Sequence, residues 1–448
     1  MEPHFRLGVL EALKALRSGR ITVKAYCASL AARVAACEPR VGAWAWFDPE
    51  RLLVEAAARD KAKGPKGALF GLPVGLKDIM STRGIPTGMG SQIYAGHVPA
   101  VSATVATRIE DLGGIVEGKT VTTEFAYRYP GKTRNPWNER HTPGGSSSGS
   151  AASVSLGMAP AALGTQTLGS VIRPAAYCGV VGYKPSFGAI SRAGIHPFST
   201  TLDHVGVFAR SVADAGYVAA CLMGKDDQDR ATAATGHPVV LEVPTGVAKR
   251  APKLAAIRTP MWRLATEPQR GNFDECLKLL SRRGSDVEEV TLPAAFDEAW
   301  DNVMVIMAYD AVQSFDGLEQ HARNRMSEPL VSLLDRGHLT DPRNVAAALK
   351  KREHYIEHLD GLLERFDAIV TVPATGEAPA GLGNTGDAAF CSLWTQAGMP
   401  AITIPSGRGP QGLPLGFQVV GRWRGDQGLL EVAAWCERAL GVSMGFPS

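Results

Sequence analysis

The chain has 448 residues, 45% hydrophobic and 20% charged, and its 47 Lys and Arg against 44 Asp and Glu leave a net charge of +3. That is the balance of a water-soluble globular protein. It offers no clustered basic stripe of the kind nucleic acid requires, and no run reaches the ~18–20 apolar residues of a membrane span.

Residues 5–38 predict two helices: Leu7, Val9, Leu10, Leu13 and Leu16 recur at helical spacing and "SGRIT" interrupts the run. A third helix is predicted over 50–62. "ALFGLPVGLKDI" reads as a short buried strand entering a turn. A helix over about 101–112 leads through Gly113 and Gly114 into a strand, "IVEGKT". Between 129 and 206 the chain is dense in Gly, Ser, Thr and Pro, yet carries two apolar segments, 151–163 and 176–182. Loops of this composition on rigid elements are where catalytic groups collect. From about 207 the alternation resumes, with a helix at 211–223, a strand near 254–258, a helix at 272–283 and a strand at 286–292. Helices follow within 296–335 and 343–366, then a strand at 368–372, a Gly/Pro-rich loop at 373–387 and a helix at 389–397. Strands at 401–404 and 415–421 and a helix at 426–439 complete the pattern. With no repeat and no separating linker, the expectation is one α/β domain over 1–448. Its large mixed, mostly parallel sheet would be covered by helices on both faces. The catalytic core is expected at about 65–215, with the helices of 5–62 packed on it.

Cysteines 27, 37, 178, 221, 276, 391 and 436 form no C-x-x-C pair and are odd in number, which predicts reduced core thiols. The N-terminus lacks the apolar core of a signal peptide, so a cytoplasmic protein is expected.

Three constellations could carry chemistry. Gly145-Ser146-Ser147-Ser148-Gly149 matches G-x-S-x-G, a nucleophile elbow with Ser147 attacking. No β-run precedes it, and His196, His204 and His237 downstream have no distinctive setting. His354-Tyr355-Ile356-Glu357-His358 matches an H-x-x-E-H zinc motif. Its histidines lie away from the apolar stripe of Leu349, Ile356, Leu359, Leu363 and Phe366, which predicts a solvated face. The third constellation joins Lys77 in "GLPVGLKDI", Ser146 in "PGGSSSGSAA" and Ser170 in "LGTQTLGSVIRPAAYCG". Lys77 sits in an apolar frame. Burial disfavours an ammonium, and a neutral lysine is a usable general base; the alternative is a lysine paired with Asp78. Ser170 closes a Gly-containing turn whose N–H groups could converge on an anion.

These segments resemble the amidase signature family. The likeness runs through "GLPVGLKDIMSTRGIPTGMGS" (71–91), "GKTVTTEFAY" (118–127), the block from "NPWNERHTPGGSSSGSAA" to "GVVGYKPS" (135–186), and "TLDHVGVFARSVAD" (201–214). It continues in "LWTQAGMPAITIP" (393–405) and "GLPLGFQVVGRWRGDQGLL" (412–430). The resemblance implies a Ser–cis-Ser–Lys triad: Ser170 the nucleophile, Ser146 the bridging serine after a cis Gly145–Ser146 peptide, and Lys77 the base. Ser146 precedes Ser170 by 24 residues, the family's separation. The backbone N–H groups of Thr167, Leu168 and Gly169 would form the oxyanion hole. No metal or cofactor is implied, and the partner is a small-molecule amide, with a homodimer common in the family. Ser147, Ser148 and Ser150 become loop and helix-start hydrogen bonders.

The chain departs from the family's "GTDTGGS-I-R-x-P" in three places. Gln166 replaces the Asp, Leu168 replaces the first Gly, and Arg173 stands three positions after the nucleophile rather than two. Gln166 and Arg173 together resemble a branch containing bacterial malonamidases, which makes both candidate substrate-binding residues. There the arginine would hold a substrate carboxylate, or it would only order the loop. Leu168 is expected to have an ordinary φ and to narrow the acyl pocket. The implied activity is hydrolysis of small acyl amides, and by the same acyl-transfer machinery of esters or carbamates. The alternative within the resemblance is the glutaminase component of a tRNA-dependent amidotransferase, which needs a partner protein, ATP and tRNA. A non-catalytic binding module on this scaffold is disfavoured by the complete triad.

Overall fold

The computed structural model describes residues 3–233 and 250–447. Its eleven strands are β1 (Trp44–Phe47), β2 (Pro73–Lys77), β3 (Ile115–Thr120), β4 (Ala161–Gln166), β5 (Val181–Lys184), β6 (His204–Ala209), β7 (Lys253–Ile257), β8 (Asp286–Val290), β9 (Ala368–Thr371), β10 (Ala401–Arg408) and β11 (Pro414–Val420). They form one sheet in the order β1-β3-β2-β4-β6-β5-β10-β11-β9-β7-β8. Strands β2 to β6 are buried at every position, as expected of strands covered on both faces. Side-chain alternation divides their residues. Ala161 and Leu163 join one apolar layer with Val74, Leu76 and Val207, while Ala162 and Phe208 face the opposite layer with Val154 and Ala175.

The mixed α/β sheet is as expected, but it is not mostly parallel. Among the described residues four of its ten strand pairings are parallel, β2 with β3 and β4, and β7 with β8 and β9. The connections explain the difference. Helices Thr104–Asp111, Ser148–Ser155 and Glu267–Arg282 provide crossovers after β2, β3 and β7, and a parallel pair needs such a crossover. The loop 409–413 is too short for one and makes β10 and β11 an antiparallel hairpin. Four strands go beyond those predicted: β4 and β5 overlap the two apolar segments, to which the sequence assigns no type, and β1 and β6 lie outside the predicted elements. β1 has only four residues, and β6 begins inside the Gly/Ser-rich region, where loop composition masks its apolar run.

One helix sets the geometry of the site. Ser148–Ser155 is buried along its whole length. Only small side chains fit, because the helix lies directly against its neighbours: a Cβ on Gly149 would stand 2.2 Å from the Ala43 carbonyl oxygen and 2.3 Å from the Val121 nitrogen. Burying serines there requires partners for their hydroxyls. Ser148 donates to the Val121 carbonyl (3.2 Å), Ser150 to that of Leu163 (2.9 Å) and Ser155 to that of Cys178 (2.7 Å).

Gly149→Ala is expected to lower stability by about 1–3 kcal/mol through overpacking. Gly271→Ala is the control. Gly271 is exposed within helix Glu267–Arg282 with nothing within 4 Å of an added Cβ. That change should stabilise by about 0.5–1 kcal/mol. Thermal unfolding of both variants beside the parent checks the pair.

Candidate active site

Lys77 is the last residue of β2 and is fully buried. Its ammonium nitrogen contacts two hydroxyls, Ser146 Oγ at 2.6 Å and Thr165 Oγ1 at 2.8 Å. No carboxylate lies within ion-pair distance among the described residues. Burial therefore holds its pKa well below the ordinary lysine value, opposed only by the field of Asp203. Asp78, the next residue, faces elsewhere. It lies 3.8 Å from the buried Lys119. Burial raises Asp78 to about 6 and lowers Lys119 to about 8. A Lys77–Asp78 pair is thus not the reason for Lys77.

Ser146 is buried and follows a cis peptide from Gly145. Two contacts hold this turn: the Thr123 N–H donates to the Ser146 carbonyl (3.2 Å), and Arg173 Nη2 donates to the Gly145 carbonyl (2.6 Å). Ser147 faces β4. Its hydroxyl donates to the Thr165 carbonyl (3.2 Å) and accepts from the Thr165 N–H (3.3 Å). Gly164 makes room for it, since a Cβ there would meet Ser147 Oγ at 2.5 Å. The elbow reading fails on these contacts, because the Ser147 hydroxyl is engaged by the backbone of β4. His204 hydrogen-bonds the Leu202 carbonyl (2.6 Å), and His237 lies outside the described residues.

The turn 167–170 leaves β4 and enters helix Ile172–Cys178. Gln166 braces it from behind. Its Oε1 accepts from the N–H groups of Val171 (2.8 Å) and Ile172 (3.0 Å), and its Nε2 donates to Thr395 Oγ1 (2.9 Å). These contacts correct the expectation of Gln166 as a substrate contact: its amide is committed to the turn. Thr395 completes the brace by donating to the Leu168 carbonyl (2.7 Å). Gly169 is required for close approach, since a Cβ would lie 3.0 Å from Ala388 Cβ and 3.2 Å from Cys391 Sγ. The N–H groups of Thr167, Leu168 and Gly169 donate to no acceptor among the described residues. Three such donors in one turn can converge on an anion. Leu168 is absent from the positive-φ residues, as expected, and packs into the apolar cluster of Phe198, Met304 and Ala388.

Thr167, Leu168, Gly169, Ser170 and Arg173 line a cavity of about 940 Å³. One wall carries Tyr127 stacked on Phe198, with ring centroids 5.2 Å apart; Trp300, Met304 and Met307 stand in another. Arg173 is buried, and its Nη1 and Nη2 reach the Gly386 carbonyl (3.0 Å), the Gly145 carbonyl and Thr385 Oγ1 (3.2 Å). The guanidinium thus ties the turn before Ser146 to the loop at 385–386.

Three contributors escape a reading of the sequence: Thr165, Thr395 and Asp203, whose Oδ1 accepts from Thr167 Oγ1 at 2.6 Å. Thr165 is the one within reach, because β2 and β4 pair in parallel with Leu76 beside Leu163. Only the first histidine of the H-x-x-E-H pair lies on the solvated face expected for both. His354 is exposed, His358 packs against Phe296, and no metal-holding cluster occurs among the described residues. All seven cysteines are unpaired, and no helix described is long and apolar enough to cross a membrane.

Comparison with known proteins matches residues 24–430 to the amidase family. A glutamyl-tRNA(Gln) amidotransferase component from Acidothermus cellulolyticus is 33% identical, over 91% of this chain and 89% of its own. The native peptide amidase of Stenotrophomonas maltophilia superposes with a TM-score of 0.84 at 28% identity, over 100% of this chain and 99% of its own. A structure described as a vestigial protein complex bearing on the origins of an s-triazine catabolic enzyme reaches 0.88 at 25% identity, over 99% and 100%. These relatives do not single out a malonamidase-like branch. With the family matched across nine-tenths of its length, the chain belongs to the amidase signature family and is an enzyme of amide C–N bonds.

Proposed function

We propose that the protein cleaves the C–N bond of small acyl amides through Lys77, Ser146 and Ser170. The observation that supports this most is the 2.6 Å hydrogen bond between Ser146 and a buried lysine with no carboxylate in ion-pair distance among the described residues. The lowered pKa of Lys77 favours its neutral form, which can act as a base. It takes a proton from Ser146, which takes one from Ser170, and Ser170 attacks the amide carbonyl. The free N–H groups of Thr167, Leu168 and Gly169 receive the developing oxyanion. The proton returns along the relay to the leaving nitrogen, and water then cleaves the acyl-enzyme by the same route. Esters and carbamates present the same acyl carbon. Arg173 and Leu168 shape the acyl site, the first by fixing its loops and the second by filling its floor. The site calls on no metal or cofactor, and the protein works in the cytoplasm.

The curated relatives favour a second reading, in which the amide is glutamine and the ammonia passes to a partner protein. The two differ in a simple measurement. A stand-alone amidase turns over small amides as the purified chain, whereas an amidotransferase component is selective for glutamine and depends on its partner.

Ser170→Ala and Ser146→Ala are each expected to lower kcat by about a thousandfold or more, as members of one catalytic unit do. Ser147→Ala should stay within a few-fold, measured on any amide the chain turns over. Equal loss in Ser146→Ala and Ser147→Ala would remove the relay.

The pH dependence has a definite sign. Lys77 binds its proton more weakly folded than unfolded. Stability therefore rises with pH between the folded pKa and the unfolded value of about 10.4. Lys77→Met should be inactive and should flatten this rise, as read from denaturation midpoints at pH 7, 8 and 9.

Arg173→Ala is expected to weaken turnover of malonamate, aliphatic amides, aryl amides and aryl carbamates alike, because its contacts are to loop carbonyls. Loss confined to malonamate would instead assign it to a substrate carboxylate.

A further inference from the structure

A second cavity, of about 150 Å³, lies behind the candidate active site. It shares Ala126, Thr167 and Phe198 with the substrate cavity as a common wall. Thr165 forms part of its lining, and Thr165 Oγ1 is the second partner of Lys77. Its lining mixes apolar side chains with polar ones, among them Thr165, Thr167, Asp203 and His204. His204 is buried, and its Nδ1 is engaged by the Leu202 carbonyl while its Nε2 has no partner. A carbonyl accepts, so Nδ1 carries the proton and Nε2 presents a lone pair. The space is ample for water, which needs only ~10–15 Å³ of it, and an orphaned buried acceptor is the usual mark of one.

We infer that this chamber holds water and is the route by which Lys77 exchanges its proton with solvent, apart from the substrate cavity. The inference rests on Lys77 acting as the base. Hydrolysis ends with a carboxylic acid in the site. If the product leaves as carboxylate, its proton stays on Lys77, which must shed it before the next turnover. The path through Ser146 leads to the product or to the next substrate. The path through Thr165 does not. Lys77 Nζ passes its proton to Thr165 Oγ1, Thr165 releases its own hydroxyl proton to a chamber water, and that water hands a proton on toward the rim at the exposed Thr200 and Gln228. The lysine is left neutral and the threonine unchanged, so the step balances.

The charged groups around the chamber favour this. Asp203 accepts from Thr167 and from the N–H groups of Phe198 and Ser199, and its negative field faces Lys77. Arg192 is neutralised by Asp229 at 2.9 Å. Burial lowers the pKa of His204 and takes His196 down to about 4, so both rings stay neutral and neither bars a passing proton.

The test separates loading of the enzyme from its reset. Ala193→Phe fills the chamber from its wall without touching Lys77, and Gln228→Trp covers its rim. With a p-nitroanilide substrate, single-turnover acylation should stay within twofold of the parent. Multiple-turnover kcat should fall by about tenfold, the lower part of the range for positioned proton transfer, and recover with added imidazole. Thr165→Val, which also removes a partner of Lys77, should lose more in multiple-turnover kcat than in single-turnover acylation. Full multiple-turnover rates in both chamber variants would overturn the inference. So would equal loss in both phases for Thr165→Val, which would make Thr165 only a holder of Lys77. A high-resolution crystal structure should show ordered water in the chamber against Thr165 Oγ1, and a dry chamber would overturn it. Turnover by Lys77→Met would instead overturn the proposed function itself, leaving the two failures distinct.

Discussion

A lysine side chain enclosed with no carboxylate in ion-pair distance among the described residues is the constraint around which this molecule is arranged. An unpaired ammonium in a low-dielectric interior is far costlier than a neutral amine. The fold meets that cost by surrounding Lys77 with hydroxyls instead of carboxylates, Ser146 on one side and Thr165 on the other. Hydroxyls can donate to or accept from the amine, so they accommodate either protonation state. The same interior shows the other solution close by. Lys119, two residues along from Glu117 on the adjacent strand, lies near Asp78 and keeps a pKa of about 8.

The two turns near Lys77 are braced by long polar side chains. The turn before Ser146 is held by Arg173 and by the Thr123 N–H. The turn before Ser170 is held by Gln166 and Thr395. In both cases a long polar side chain occupies backbone groups on the far side of the turn and leaves the near side free. For 167–169 the near side is the row of unpaired N–H groups, which keeps its donors because Gln166 takes only those of Val171 and Ile172.

The lysine and the two serines are legible in the sequence because each lies in a local pattern that is hard to explain otherwise: an unbroken apolar frame about Lys77, and Gly-rich turns at Ser146 and Ser170 that resemble one family. Strands such as β2 and β3 are legible for a related reason, since burial on both faces leaves a short, nearly continuous apolar run. What stays hidden depends on pairing across the chain. Thr165 matters because β2 and β4 run parallel in a register that no local signal reveals. Gln166 looks like a substrate contact because its departure from the family stands beside the nucleophile. Only the position of Thr395, more than two hundred residues on, shows it facing away from the cavity. The parallel bias expected of the sheet has a similar origin, since helix–strand alternation is local and the return of β10 and β11 as a hairpin is not.

The buried serine-rich helix Ser148–Ser155 also divides the enzyme's evolutionary freedom. Its side chains are already minimal, and Ala43, Val121 and β4 close on it from several sides. The chemical half of the cavity therefore has little latitude for substitution. The facing half is built from helices Ala299–Ala322 and Glu328–His338 and the loop at 382–388, none of which supplies Lys77, Ser146 or Ser170. That half can be rebuilt without disturbing the helix, so the shape of the cavity can diverge while the packing around Lys77, Ser146 and Ser170 stays fixed.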